Sequence, residues 1–291
     1  MFYRQKILLA TIETFGGRLK RTDCEKLLFL LCQNTGKNYY DFFPYRYGGF
    51  SLTSYHDKAI LTKDGWLSPE DEFVLAKNDS ILAQLRPEDR KALVTLKAET
   101  TSLGSELIRM VYLRYPYFAC KSEVLTRVLT SSEIEETRRF WNFDETPSLF
   151  TIGYEGLSID AFLNKLIENN IHALVDVRNN PFSMKFGFSN PAFRNHVERA
   201  GLHYYHLPEL GIPSPLRKGL GNAESYNLLF TYYETNILPK NAAALERIRQ
   251  LLQENRRVAL TCFEANPYSC HRQRITSRLA AEGLLSPILH L

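Results

Sequence analysis

Long apolar runs are missing from this 291-residue chain: the longest, Leu27 to Cys32, has six residues, against the roughly 20 that a membrane-spanning helix needs. A membrane protein of helical type is excluded on that ground. The opening Met1-Phe2-Tyr3-Arg4-Gln5-Lys6 leads into an amphipathic segment with no apolar stretch and small-residue cleavage site. Export is therefore not expected, and a cytoplasmic location is. Cysteine is sparse and odd in number, five in all, which fits free thiols in a reducing compartment better than a disulfide framework. Excess charge of one sign is missing too. Residues 1–145 carry 21 basic and 20 acidic side chains and residues 146–291 carry 15 and 12, so nucleic-acid contact is permitted through a local patch and is not demanded. There is no repeat and no low-complexity tract. The only glycine pair after a strand-like run, Gly153-x-x-Gly156, lacks the full dinucleotide fingerprint; no nicotinamide or other cofactor is expected.

What the chain does have is an ordinary globular composition, 44% apolar and 23% charged, over a length that suggests about two domains. The first is read as residues 1–145. It opens with a helix over about Arg4 to Phe15, closed by Gly16-Gly17, and a second helix announced by Thr22-Asp23-Cys24-Glu25, the pattern of a capping box. An aromatic loop, Phe43 to Ser51, ends on a serine able to cap a third helix over Leu52 to Lys63. A turn at Asp64-Gly65-Trp66 then leads to short extended segments, so the order is that of a winged helix-turn-helix. Helices from Pro87 to about Ser132 brace this domain. The charged stretch Thr130 to Pro147 reads as a linker, with the boundary near Thr146.

The second domain, 148–291, alternates strand and helix. Strands are read at 149–153, 173–177, 203–207, 258–263 and, shorter, 287–291. The helix after Ser158 has the clearest period in the chain, with Ile159, Phe162, Leu163, Leu166 and Ile167 on one face. A helix is expected to open at Asn190-Pro191 and stop at Gly201, and further helices follow at about 223–237, 242–255 and 271–282. The fold class is therefore α/β, a mostly parallel sheet with helices on both faces, preceded by a mainly helical, winged-helix-like domain.

Ligands of an open parallel sheet bind beyond the carboxyl ends of its strands, and those ends are rich in chemistry here. They carry Tyr154; Asp176 and Arg178; Glu209; and Cys262, Glu264, Cys270, His271 and Arg272. The last helix opens at Cys270-His271-Arg272, where backbone amides and the helix dipole favour an anion and lower a thiol's pKa. Arg178 and Arg272 are expected to clamp an anion with Tyr154 and Asp176 beside them. Glu209 or Glu264 would act as general base, and Cys270 with His271 as nucleophile or proton donor. Asp176 and Arg178 have an equally ready reading as a structural ion pair, and Cys262, inside an apolar strand, as core. Zinc on Cys262, Cys270 and His271 is the minor reading. Seven residues separate the two cysteines, unlike the short spacing of structural zinc sites, and no metal is assigned.

These motifs together resemble a known family. Thr151-Ile152-Gly153-Tyr154, Leu174 to Pro181, His206-Leu207-Pro208-Glu209-Leu210-Gly211, and Cys262-x-Glu264 leading to Cys270-His271-Arg272 look like the domain-of-unknown-function family 488 over residues 149–291. The resemblance implies a compact α/β domain in a bacterial or archaeal protein and carries no established reaction. Glu155 stands where many members have a small polar residue, so no catalytic role falls to it. The region Phe43–Ser51 with Asp57 to Leu67 is more weakly similar to winged-helix-like domains of phage-defence and toxin-antitoxin proteins. That likeness would place the helix over Leu52 to Lys63 in a DNA groove, with Arg46, Lys58 and Lys63 on phosphates; an interaction or bracing domain is the competing reading.

Three functional expectations follow. The first is a pocket for a phosphate-bearing ligand, a nucleotide, nucleic-acid end or phosphorylated metabolite, acted on by hydrolysis or transfer. The second is a DNA-binding regulator or defence component with a ligand-sensing domain and no chemistry of its own. The third is a cysteine-dependent transferase on the rhodanese or cysteine-phosphatase plan. That plan puts five residues between cysteine and arginine, whereas nine separate Cys262 from Arg272 and one separates Cys270 from it, so the third rests on fold analogy alone.

Overall fold

The computed structural model describes residues 1–77, 79–141, 143–217 and 221–291. Its chain divides into two compact units, Met1–Asn142 and Phe143–Leu291. Asn142, inside the stretch read as a linker, lies outside the described residues. Among the described residues no helix is long and apolar enough to cross a membrane.

In the first unit α1 (Tyr3–Thr14), β1 (Arg18–Leu19), α2 (Arg21–Thr35), β2 (Phe43–Tyr45), β3 (Gly48–Phe50), α3 (Leu52–Lys63) and β4 (Phe73–Val74) precede four helices, α4 (Pro87–Glu99), α5 (Ser105–Arg114), α6 (Leu125–Val128) and α7 (Ser131–Arg138). Helix α2 is the hub: Cys24 and Leu27 to Leu31 are all buried, which a helix achieves only when neighbours cover it all round. The Thr22–Glu25 capping box does not form. Helix α2 starts two residues earlier than that box requires, at Arg21, with Lys20 at its N-cap, and the Glu25 carboxylate instead accepts from the Ser51 amide and the Ser54 hydroxyl. It thus serves the N-terminus of α3, where Ser51 itself accepts from the Ser54 amide as the N-cap. The reason is burial: a carboxylate enclosed in the core must be met by donors, and the start of α3 supplies them. The expected aromatic loop is a hairpin, β2 pairing antiparallel with β3, and it turns at Gly48, whose φ of 91° suits glycine. Strand β1 pairs antiparallel with β4, and Leu67 bridges Leu75.

The second unit runs β5 (Ser148–Gly153), α8 (Ile159–Glu168), β6 (Ala173–Asp176), α9 (Ala192–Arg199), β7 (His203–His206), α10 (Ala223–Tyr232), α11 (Ala242–Asn255), β8 (Arg257–Cys262), α12 (His271–Ala281) and β9 (Ile288–His290). Five parallel strands stand in the order β7-β6-β8-β5-β9. Ser158 caps α8 by accepting from the Ala161 amide. Helix α9 begins at Ala192 with Pro191 at its N-cap, not at Pro191 behind an asparagine cap, and the Asn190–Pro191 peptide is cis. Helix α10 passes after Tyr232 into a wider turn over Tyr233–Ile237.

Alternation along the strands sorts the two faces. Ala173, Val175, Val177, Val258, Leu260 and Cys262 join residues of α10, α11 and α12 in one core. On the opposite face Phe162 of α8, Phe193 of α9 and Phe188 pack with Tyr154 and Tyr204. The chain leaves β6 toward β7 on one side and leaves β8 toward β9 on the other. The crevice at the carboxyl ends of β6 and β8 is therefore the topological switch point, where ligands of such sheets bind.

Candidate functional site

Four groups meet at that crevice. Cys262 is the last residue of β8, and Cys270, His271 and Arg272 open α12, with Cys270 at its N-cap. The two sulfurs and a nitrogen of His271 lie within 4.8 Å of one another, all three residues being buried. His271 Nδ1 stands 3.9 Å from the Cys262 sulfur and 3.8 Å from that of Cys270. Its Nε2 faces the carbonyl of Val177, just past β6, at 3.0 Å. Since a carbonyl only accepts, Nε2 carries a proton and donates to it, and Nδ1 is the nitrogen turned to the two sulfurs. The ring also meets Tyr233 edge-on, and the Tyr233 hydroxyl donates to the Leu210 carbonyl.

Glu264 and Arg272 complete the cluster. Arg272 is fully buried, and its Nη2 donates to the Glu264 carbonyl. Its Nε and Nη1, like Oε2 of Glu264, are buried atoms with no hydrogen-bond partner among the described residues. Burial, and after it the neighbouring Cys270, push the Glu264 carboxyl up from the usual range. Burial alone would also raise the Cys270 thiol. The hydrogen bond from Cys262 and the charges of His271 and Arg272 outweigh it and hold that thiol well below its ordinary value. The Cys262 thiol goes the other way, raised first by its hydrogen bond to Cys270 and then by burial. Burial opposes the charged form of His271, but Cys270 beside it prevails and its pKa rises.

The remaining expected residues are arranged otherwise. Tyr154, Asp176 and Arg178 do come together, but they satisfy one another. Arg178 Nε donates to Asp176 Oδ1 at 2.8 Å and Nη2 to Oδ2 at 2.6 Å. Nη1 donates to the Tyr154 hydroxyl and the Phe188 carbonyl, and Tyr204 donates to Asp176. The guanidinium also lies over the rings of Tyr154 and Phe193, on the α8–α9 face, while Cys262 and Cys270 belong to the α11–α12 face. Strand residues two apart share a face, and the bonds to Asp176 hold Arg178 on the side opposite Val177. This buried pair is the structural ion pair that the sequence also allowed. Glu209 is exposed on a short turn, Pro208–Leu210, after β7. In the first unit Arg46 pairs with Glu123 at 3.3 Å, and Lys58 donates to the carbonyls of Glu70 and Asp71; Lys63 is exposed in the last turn of α3. Glu155 accepts from the Ala265 amide and so braces the turn that carries Glu264.

Sequence reading passed over Val177, because its contribution is a backbone carbonyl that no side-chain pattern announces. A Cβ at Gly153 would stand 1.8 Å from the Glu264 carbonyl oxygen, so that glycine makes room for the turn after β8.

Fold and site together define the second unit as an open parallel α/β sheet with a buried cysteine, histidine and arginine cluster, beside a half-buried glutamate, at its switch point. The family model of DUF488, a domain of unknown function, matches residues 158–279 of it. Neither the curated proteins nor the solved structures gave a match.

Proposed function

We propose that the second unit binds and acts on a phosphate-bearing ligand at the crevice between β6 and β8, as a hydrolase or transferase. The observation that carries this reading is Arg272, fully buried, with two of its three nitrogens unpartnered beside an unpartnered oxygen of Glu264. A buried charge without partners costs several kcal/mol, and such groups gather where a ligand completes them. The planar guanidinium suits phosphate oxygens. Glu264, whose carboxyl is pushed up by burial first, takes the proton-transfer role. Cys270 and His271 are enclosed by protein and act from behind by fixing the charge of the cluster. The Glu264 carbonyl holds the third nitrogen.

The test is a thermal-shift series on the full chain with inorganic phosphate and nucleoside mono- and diphosphates. The unaltered chain is expected to gain about 2.7 kcal/mol of stability at a hundredfold excess over Kd, and Arg272→Ala to lose that gain. An equal shift in the variant, or none in either protein up to millimolar ligand, overturns the reading.

For the first unit a winged-helix, DNA-binding reading draws support from its small antiparallel sheet of β1, β4 and the Leu67 bridge set among α1, α2 and α3. Duplex binding on this reading weakens steeply with salt, by a slope of about −0.9 per phosphate contacted. A flat salt profile rejects it.

A further inference from the structure

We infer that Cys262, Cys270 and His271 form a binding site for a divalent metal ion of the zinc class, with three protein ligands and the fourth coordination position left to water or a ligand. The inference does not depend on the anion reading of Arg272. It rests on the shape of the cluster. A tetrahedral zinc with sulfur at about 2.3 Å and nitrogen at about 2.05 Å sets those two atoms about 3.6 Å apart. The distances here, 3.9 Å and 3.8 Å from one nitrogen to two separate sulfurs, are within a few tenths of an ångström of that. The imidazole is already oriented as a ligand: its far nitrogen is anchored on the Val177 carbonyl at 3.0 Å, the outer contact that fixes the tautomer of metal-bound histidines. Two elements carry the ligands, the end of β8 and the start of α12, and the Val177 carbonyl holds the imidazole from behind.

The rival explanation, a nucleophilic thiol activated by histidine, needs one sulfur. Cys262 would then serve only as core and as a neighbour of Cys270, although it stands 3.9 Å from the same nitrogen that Cys270 meets at 3.8 Å. That explanation also needs a thiol that a substrate can reach, and the two sulfur-bearing residues are 2% and 1% exposed. Two enclosed sulfurs and an imidazole nitrogen are the donor set that selects zinc over hard cations. Three protein ligands leave a tetrahedral ion one further coordination position. The separation of the cysteines does not weigh against this, because the pair is closed by the fold of β8 onto α12 and not by a short knuckle.

The test uses the full chain under reducing conditions, loaded with zinc, dialysed and assayed for bound metal, with cobalt(II) as the optical probe. Expected are about one zinc per chain and a thiolate-to-cobalt charge-transfer band with the intense visible bands of tetrahedral cobalt. Cys262→Ser and His271→Ala are each expected to weaken zinc binding about tenfold or more, with Cys120→Ser unchanged. Because both positions are buried, a second measurement uses the unaltered chain: zinc is expected to slow alkylation of Cys262 and Cys270 and not of Cys120. Substoichiometric zinc in the folded chain, or thiols that alkylate equally fast with and without zinc, overturns the site; rapid alkylation of Cys270 alone then assigns the cluster to thiol chemistry. Arg272→Ala separates this result from the anion reading, since it is expected to keep the metal and lose the phosphate shift.

Discussion

Asp176→Ala is expected to cost the second unit about 3–5 kcal/mol, the usual penalty for leaving one member of a buried ion pair alone. Arg178 is 4% exposed and Asp176 fully buried, so water cannot replace the lost carboxylate. That carboxylate receives two guanidinium nitrogens, the Arg178 amide and the Tyr204 hydroxyl. Its removal strands all of them at once. The double variant Asp176→Leu with Arg178→Met removes both charges and is expected to recover a large part of the loss, because an apolar pair of similar size avoids the desolvation of either charge. Urea unfolding of the three proteins, read from probes in the second unit, measures the difference. A loss below about 1 kcal/mol would place the pair in the class of solvent-reached surface bridges. Rescue of Asp176→Ala by phosphate would show that Arg178 accepts an external anion after all.

Gly153→Ala is expected to disturb both stability and the cluster. The added methyl would lie 1.8 Å from the carbonyl oxygen of Glu264 and 2.5 Å from its carbon. Backbone must therefore move, because no side-chain rotation relieves the contact. Overpacking of this kind costs about 1–3 kcal/mol or more. The displaced carbonyl is the one that holds Nη2 of Arg272, and the displaced turn begins directly after Cys262. Phosphate shift and zinc affinity are thus expected to fall together. Gly221→Ala is the matched control, since nothing lies within 4 Å of a Cβ at that position; it is expected to stay within about 0.5 kcal/mol of the parent. Equal effects of the two substitutions would show that the close approach at Gly153 is relieved at no cost.

Much of the architecture was legible in the residues. Strands and helices of the second unit could be placed because strands buried on both faces read as short apolar runs, whereas an amphipathic helix repeats every 3.6 residues. Caps at Ser51 and Ser158 could be placed because their partners lie three residues away. Local reading failed where a distant partner competed for the same group. Glu25 faces Ser51 and Ser54 from across the first unit, and the nearby Thr22 offers it less than a buried carboxylate requires.

Residue order alone set the alternating α/β pattern and gathered reactive groups after the strands. Which of those groups are neighbours follows from the packed fold. Strand order fixed that choice: β8 enters between β6 and β5, which brings Cys262 and the start of α12 beside the Val177 carbonyl, while the pleat sends Arg178 to the other face with Asp176. A chain's own periodicities are set by contacts within a few residues. The pairing of strands 80 or more positions apart is set by burial of whole faces, and no local spacing encodes it.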